Sequence, residues 1–173
     1  MQVTEYSVPF DRDLFFRKMI RSFAKSLEET VGMEEAAGYV ALVGSEVGSW
    51  LEDEYQRAAG KERFGPQEVA EVLVDLKNRI GGDFFIVSVE PEKIVLGNNE
   101  CPFGELAEGR PSLCRMTSNV FGRITANQLG YARVELHETI AKGHDGCRIT
   151  IWLRPDGEEE LDHEFFRIEE ALL

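Results

Sequence analysis

The sequence predicts an α+β domain in which N-terminal helices pack on an antiparallel sheet of four to five strands. Three observations carry this. Apolar residues recur at helical spacing as far as Ile80, the period changes at Asp83 to the two-residue alternation of strands, and the resulting order is three helices, two strands, one helix, two strands. That order favours hairpins, and so a sheet covered by helices on one face. A chain of 173 residues with 43% hydrophobic and 29% charged content can bury roughly two-thirds of its unfolded surface, so it needs neither disulfide nor metal merely to fold.

Residues 1–9 alternate weakly and end at Pro9, which reads as an arm or a short edge strand. Asp11 or Asp13 then caps a helix that carries Leu14, Phe15, Met19, Phe23 and Leu27 and stops near Gly32. A second helix runs from Glu34 to about Ala59. Its Gly44-x-x-x-Gly48 pair costs about 1 kcal/mol per glycine against alanine, which either a close helix contact or a ligand passing nearby offsets. Pro66 opens a third helix with Val69, Val72, Leu73, Leu76 and Ile80, and Gly81-Gly82 ends it. Phe84 to Val89 and Lys93 to Leu96 read as strands turned at Glu90-Pro91-Glu92. After a loop from Asn98 to Pro111, a fourth helix spans Ser112 to Leu129, with Gly130 past its end. From Tyr131 to Ile140, Ala132, Val134 and Leu136 share one strand face and Arg133, Glu135 and His137 the other, where alternating charge reads as a solvent-facing ladder. Gly143 to Gly146 turns the chain into Cys147 to Leu153, and Pro155 ends the sheet. Residues 1–155 thus read as one domain, and 156–173 as an acidic tail whose Leu161, Phe165, Phe166, Ile168 and Leu172 fit a final helix.

Charge excludes some classes of function. With 19 Lys+Arg against 32 Asp+Glu the net charge is −13, which repels a phosphate backbone or an anionic membrane surface, and no basic stripe offsets it. No direct nucleic-acid contact is expected. No apolar run is long enough to span a bilayer and no signal peptide is legible, so a cytoplasmic protein is expected. Three cysteines, an odd number, then read as thiols or ligands rather than a disulfide framework.

All three fall at breaks between elements: Cys101 after the second strand, Cys114 near the start of the fourth helix and Cys147 at the last turn. His144 and Cys147 form a His-x-x-Cys turn like half of a metal knuckle. Thiolates at a helix N-terminus and in a glycine turn are expected to ionise easily, and three of them with one imidazole fill the coordination sphere of zinc or an iron–sulfur cluster. Cys101, Cys114, Cys147 and His144 are therefore the candidate metal ligands; the alternative is that the cysteines simply pack. Phe84, Thr117, Phe121 and Trp152 are weaker candidates for lining a ligand pocket. No Walker loop, nucleophile elbow or dinucleotide fingerprint is present.

Five stretches carry a family resemblance: Asn98-Asn-Glu-Cys-Pro-Phe-Gly-Glu; Arg110-Pro-Ser-Leu-Cys-Arg-Met-Thr-Ser-Asn-Val-Phe-Gly-Arg-Ile; Gly130-Tyr-Ala-Arg-Val-Glu-Leu; Thr139-Ile-Ala-Lys-Gly; and Gly146-Cys-Arg. With Gly44-x-x-x-Gly48 and Val72 to Ile80 upstream, residues 10 to 155 resemble the methanogen output domain family. The resemblance implies a regulatory module with no established reaction, distantly similar to vinyl-reductase-type ligand-binding domains and sharing their α+β fold. The spacing of Cys101 and Cys114 is also similar to that in iron–sulfur-sensing winged-helix repressors, although here His144-x-x-Cys147 stands in place of two cysteines and no winged-helix segment is present.

The reading that follows is a sensory or regulatory domain that binds a metal, an iron–sulfur cluster or a small molecule through the three-cysteine region. It is expected to signal to a protein partner and to form a homodimer, with the N-terminal amphipathic helices and the apolar residues of the acidic tail as the surfaces for homodimerisation or for the signalling partner. The alternative is a small-molecule enzyme of reductase or hydrolase type, with Cys114 or Cys147 in a pocket lined by Phe84, Phe121 and Trp152.

Overall fold

A computed structural model describes Ser7, Pro9 and residues 11–155 and 164–167. Most of the expected N-terminal arm lies outside the described residues. Four helices pack on a five-stranded sheet: α1 (Arg12–Val31), α2 (Met33–Ala59), α3 (Pro66–Asn78), β1 (Phe84–Val89), β2 (Lys93–Asn98), α4 (Pro111–Leu129), β3 (Tyr131–Glu138), β4 (Cys147–Trp152) and β5 (Glu164–Phe166). Short 3-10 turns at Gly104–Ala107 and Ile140–Lys142 tighten the two long connections.

The helix ends follow local chemistry. Asp11 accepts a hydrogen bond from the Leu14 N–H at 2.8 Å and so caps α1. Gly60 closes α2 in the left-handed conformation (φ 66°), and Pro66 starts α3 where its missing N–H removes no bond. Glycine decides the α2 to α4 contact. A Cβ on Gly44 would stand 2.8 Å from Asn119 Cβ and 3.0 Å from the Met116 carbonyl oxygen, so α2 approaches α4 as closely as its backbone permits. The buried Glu52 fixes the register of that contact by accepting from the side-chain amides of Asn127 and Gln128.

Every strand pairing is antiparallel, in the order β1-β2-β4-β3-β5. The hairpins β1/β2 and β3/β4 form as the alternation predicts, and β2 runs two residues past the expected end, to Asn98. Ile94, Leu96, Val134, Ile149 and Ile151 meet Leu73, Phe121 and Ile124 in one core. The opposite face departs from the expected solvent ladder. Arg133 is 1% exposed, lies over the Trp152 ring at 5.5 Å and pairs with Glu135.

The tail also corrects the sequence reading. Over Glu164–Phe166 it is a strand on the edge of β3, and Phe165 joins the core directly over Gly122, where any Cβ would strike its ring at 2.1 Å. The apolar spacing of a short segment fits either period, and an open sheet edge with a bare glycine beneath it selects the strand. Residues 156–163 and 168–173 lie outside the described residues.

Candidate functional site

The three cysteines, far apart in sequence, line one small apolar chamber of about 30 Å³. Three separate elements bring them there. Cys147 opens β4 opposite Asn98, the last residue of β2, and its Sγ lies 3.7 Å from the Asn98 side-chain amide and 3.5 Å from the Ile140 N–H. Gly146 permits this approach, since a Cβ there would come within 2.7 Å of the Asn98 carbonyl oxygen. Cys114 stands in the first turn of α4. Cys101 begins the loop between them and receives the backbone N–H groups of Phe103 and Gly104. Phe84, Leu113, Thr117, Leu136 and Ile149 complete much of the wall.

The residue that sequence reasoning missed is Lys77. It sits on α3 at the i+4 position from Leu73 and the i−3 position from Ile80, on the apolar face, and that placement was the available signal. Its side chain is 5% exposed. The ammonium donates to the Thr117 hydroxyl at 2.9 Å and lies over the rings of Phe84 (5.9 Å) and Phe121 (5.5 Å). Burial pulls its pKa down from 10.5 to about 8, and the charges that oppose this shift are those of Cys101, Cys114 and Cys147, not of a carboxylate.

Burial acts on the thiols in the opposite sense to the sequence expectation. It pushes Cys114 up to about 11, and the neighbouring cysteines add to the shift; Cys101 also rises, chiefly by burial. Position in the first turn of a helix does not outweigh an apolar surround. Both thiols are protonated at neutral pH, which works against Cys114 as a resting nucleophile. Among the described residues no three His, Cys, Asp or Glu side chains are arranged to hold a metal ion. The three thiols share one chamber.

The other candidates divide. Phe84 and Thr117 line the chamber. Phe121 is fully buried behind them, edge-on to Phe84 at 5.9 Å between centroids. Trp152 lies at the far end of β4 between Lys93 and Arg133 and takes no part in the wall. His144 is exposed, turned to the Thr139 carbonyl at 3.1 Å, and also lies outside the wall. His137 contacts the Thr150 hydroxyl at 2.9 Å.

A second, wider groove of about 740 Å³ runs between the start of α2, the start of α4 and β3. Cys114, Leu136 and Thr139 belong to the walls of both the groove and the chamber, so these three side chains form the partition between them. Thr139 is 3% exposed, and its hydroxyl oxygen has no hydrogen-bond partner among the described residues. A buried unpaired hydroxyl at a partition is a place for a ligand atom.

A family model described as methanogen output domain 1 matches residues 19–152. No curated protein matches the sequence. Among solved structures, the chain is similar to the phenol-responsive sensory domain of the transcription activator PoxR with phenol, at TM-score 0.67 and 15% identity over 87% of this chain and 79% of that one. It is also similar to a trafficking protein particle complex subunit 3 from Naegleria fowleri covalently bound to palmitic acid, at TM-score 0.54 and 13% identity over 82% and 96%. At these identities the likeness is one of fold.

Proposed function

The chain belongs to the methanogen output domain 1 family, and from that premise we propose that it is a sensory and regulatory domain whose sensing element is the chamber shared by Cys101, Cys114 and Cys147. The observation that carries this reading is the convergence of three thiols from three elements on one apolar cavity behind a wider groove. The ligand is a small molecule with a compact end that enters the chamber and a remainder that lies in the groove. The similarity to a phenol-responsive sensory domain supports a ligand of aromatic size. A chamber of about 30 Å³ is well below the roughly 300 Å³ or more of ordinary ligand pockets, so the partition or the 98–111 loop moves when such a ligand binds.

A metal or cluster fits less well. It would have to draw three cysteines to one centre and displace the protons that burial favours on Cys101 and Cys114, and no metal-holding group is formed among the described residues.

The output runs through α2. Its start lines the groove, its inner face rests on α4 through Gly44 and Gly48, and its outer face carries Tyr39, Leu42, Val43 and Trp50, all about half exposed or more. That stripe pairs with a second copy of the chain, and the pair presents the signal to a protein partner.

The test is metal and acid-labile sulfide analysis of untagged protein purified without oxygen, followed by calorimetric titration with phenol. Substoichiometric metal and saturable phenol binding that weakens in Leu136→Trp, which fills the partition, are expected. Stoichiometric iron with sulfide, or stoichiometric zinc lost in Cys101→Ser, Cys114→Ser and Cys147→Ser alike, would overturn the small-molecule reading.

A further inference from the structure

The groups around the chamber are unequal in kind. Two of its acceptors are already engaged: Cys147 Sγ faces the amide of Asn98 and the N–H of Ile140, and Asn98 Oδ1 accepts from the Glu100 N–H at 3.1 Å. Several of its donors are not. The Thr139 hydroxyl has no partner among the described residues, and the thiols of Cys101 and Cys114 are held protonated by their surroundings. The Thr117 oxygen accepts from Lys77, which leaves the hydroxyl's own proton to be donated from the chamber wall where Thr117 lies.

Behind that hydroxyl is a whole positive charge. Lys77 is 5% exposed and meets two aromatic rings and one hydroxyl; the charges that favour its ammonium are those of Cys101, Cys114 and Cys147 and not of a carboxylate, and burial pushes the first two of these thiols towards their neutral form. A buried cation with no carboxylate beside it is costly unless an anion completes it. Space for such an anion exists on the other side of Thr117, where about 30 Å³ accommodates one small group.

We propose that the chamber binds a single small monoanionic group, held by the hydroxyls of Thr117 and Thr139 and matched in charge by Lys77 through the Thr117 relay. The inference rests on the small-ligand reading above and narrows it to a charge class. The group is either a free anion, such as hydrosulfide or bromide, or the anionic end of a molecule whose remainder lies in the groove. Thr117 and Thr139 are the binding residues; Lys77 acts through Thr117 and is a positioning residue. No bond is made or broken.

The test titrates the full chain, oxygen-free, with sodium hydrosulfide, sodium bromide, sodium mercaptoacetate and phenol, and with neutral methanol as a size control, reading heat and the shift in Tm. Saturable binding of at least one anion, absent for methanol and at least about 30-fold weaker in Lys77→Met, is expected for loss of one partner of a buried charge pair. Thr117→Val keeps the cation and removes the relay; it is expected to weaken the same anion, and it decides the question where Lys77→Met does not fold. Binding of hydrosulfide or bromide assigns the free ion, and binding of mercaptoacetate alone assigns the anionic end of a larger molecule. Equal affinity of wild type and both variants for the anion overturns the inference. So does phenol binding with no anion binding, which leaves the small-ligand reading standing; the loss of phenol and anion alike overturns both.

Discussion

Lys77 sets a pH dependence of its own. Its pKa falls from 10.5 in the unfolded chain to about 8 in the fold, so between those values the unfolded state binds the extra proton and stability rises with pH. The cost of the buried charge is fully present below about pH 8, amounts to about 3 kcal/mol, and is relieved as pH climbs towards 10.5. Lys77→Met is therefore expected to be more stable than wild type at pH 7 by up to that amount, with the gap narrowing by about pH 9.5 in paired urea titrations. Cys101 and Cys114 oppose the trend in both proteins, since thiols whose pKa is raised in the fold withdraw stability above about pH 9. Thr139→Val replaces an unpaired buried hydroxyl with a methyl of the same shape, and is expected to leave stability unchanged or raise it by about 1 kcal/mol while weakening the chamber's ligand. The cysteines were legible because thiols at element breaks attract attention wherever they occur. Lys77 was not, because a lysine among Leu73, Leu76 and Ile80 reads as the rim of an amphipathic helix until the partner helix is placed. Trp152 misled for the reverse reason: an aromatic on a strand is apolar in composition, yet this one serves as a platform for Arg133 and Lys93.

At the scale of elements, the contact of α2 with α4 and the cover of α4 by β5 both depend on missing side chains. Gly44→Ala gains about 1 kcal/mol of helix propensity, but its methyl meets Asn119 Cβ and the Met116 backbone, neither of which can swing away. A net loss of about 1–3 kcal/mol is expected in thermal unfolding. Gly48→Ala, with its closest neighbours at 3.3 Å, is expected to be close to neutral. Gly122→Ala expels Phe165 and with it β5, and its loss should match that of Phe165→Ala, about 3–5 kcal/mol; the double variant is expected to be no worse than either alone. The boundaries of α1 to α4 and of both hairpins were legible because Asp11, Gly32, Gly60, Pro66, Gly81 and Gly130 punctuate them chemically. The pairing of β2 with β4, which brings Asn98 beside Cys147, was not: no local signal specifies which hairpin edges meet, and only the shared core face of Leu96 and Ile149 selects it.

For the whole molecule, the pairing proposed through α2 has to overcome the repulsion of two chains of net charge −13, so that dimer is expected to tighten as salt rises. Trp50→Glu is expected to give monomer in sedimentation with Tm little changed, because Trp50 is 59% exposed and its loss empties no core. Charge composition argues against nucleic acid and anionic membrane as partners, but it conceals the buried cation, since a sum over a sequence cannot register a single charge out of reach of water. Cys114 belongs at once to the outer groove and to the inner chamber, and so does the Thr139 beside it. A bulky adduct on that sulfur would crowd the partition as Leu136→Trp does, and is expected to lower the chamber's occupancy as well as slow its filling. The partition would then work as a stop, and the chemical state of one thiol would decide whether the inner space can be filled at all.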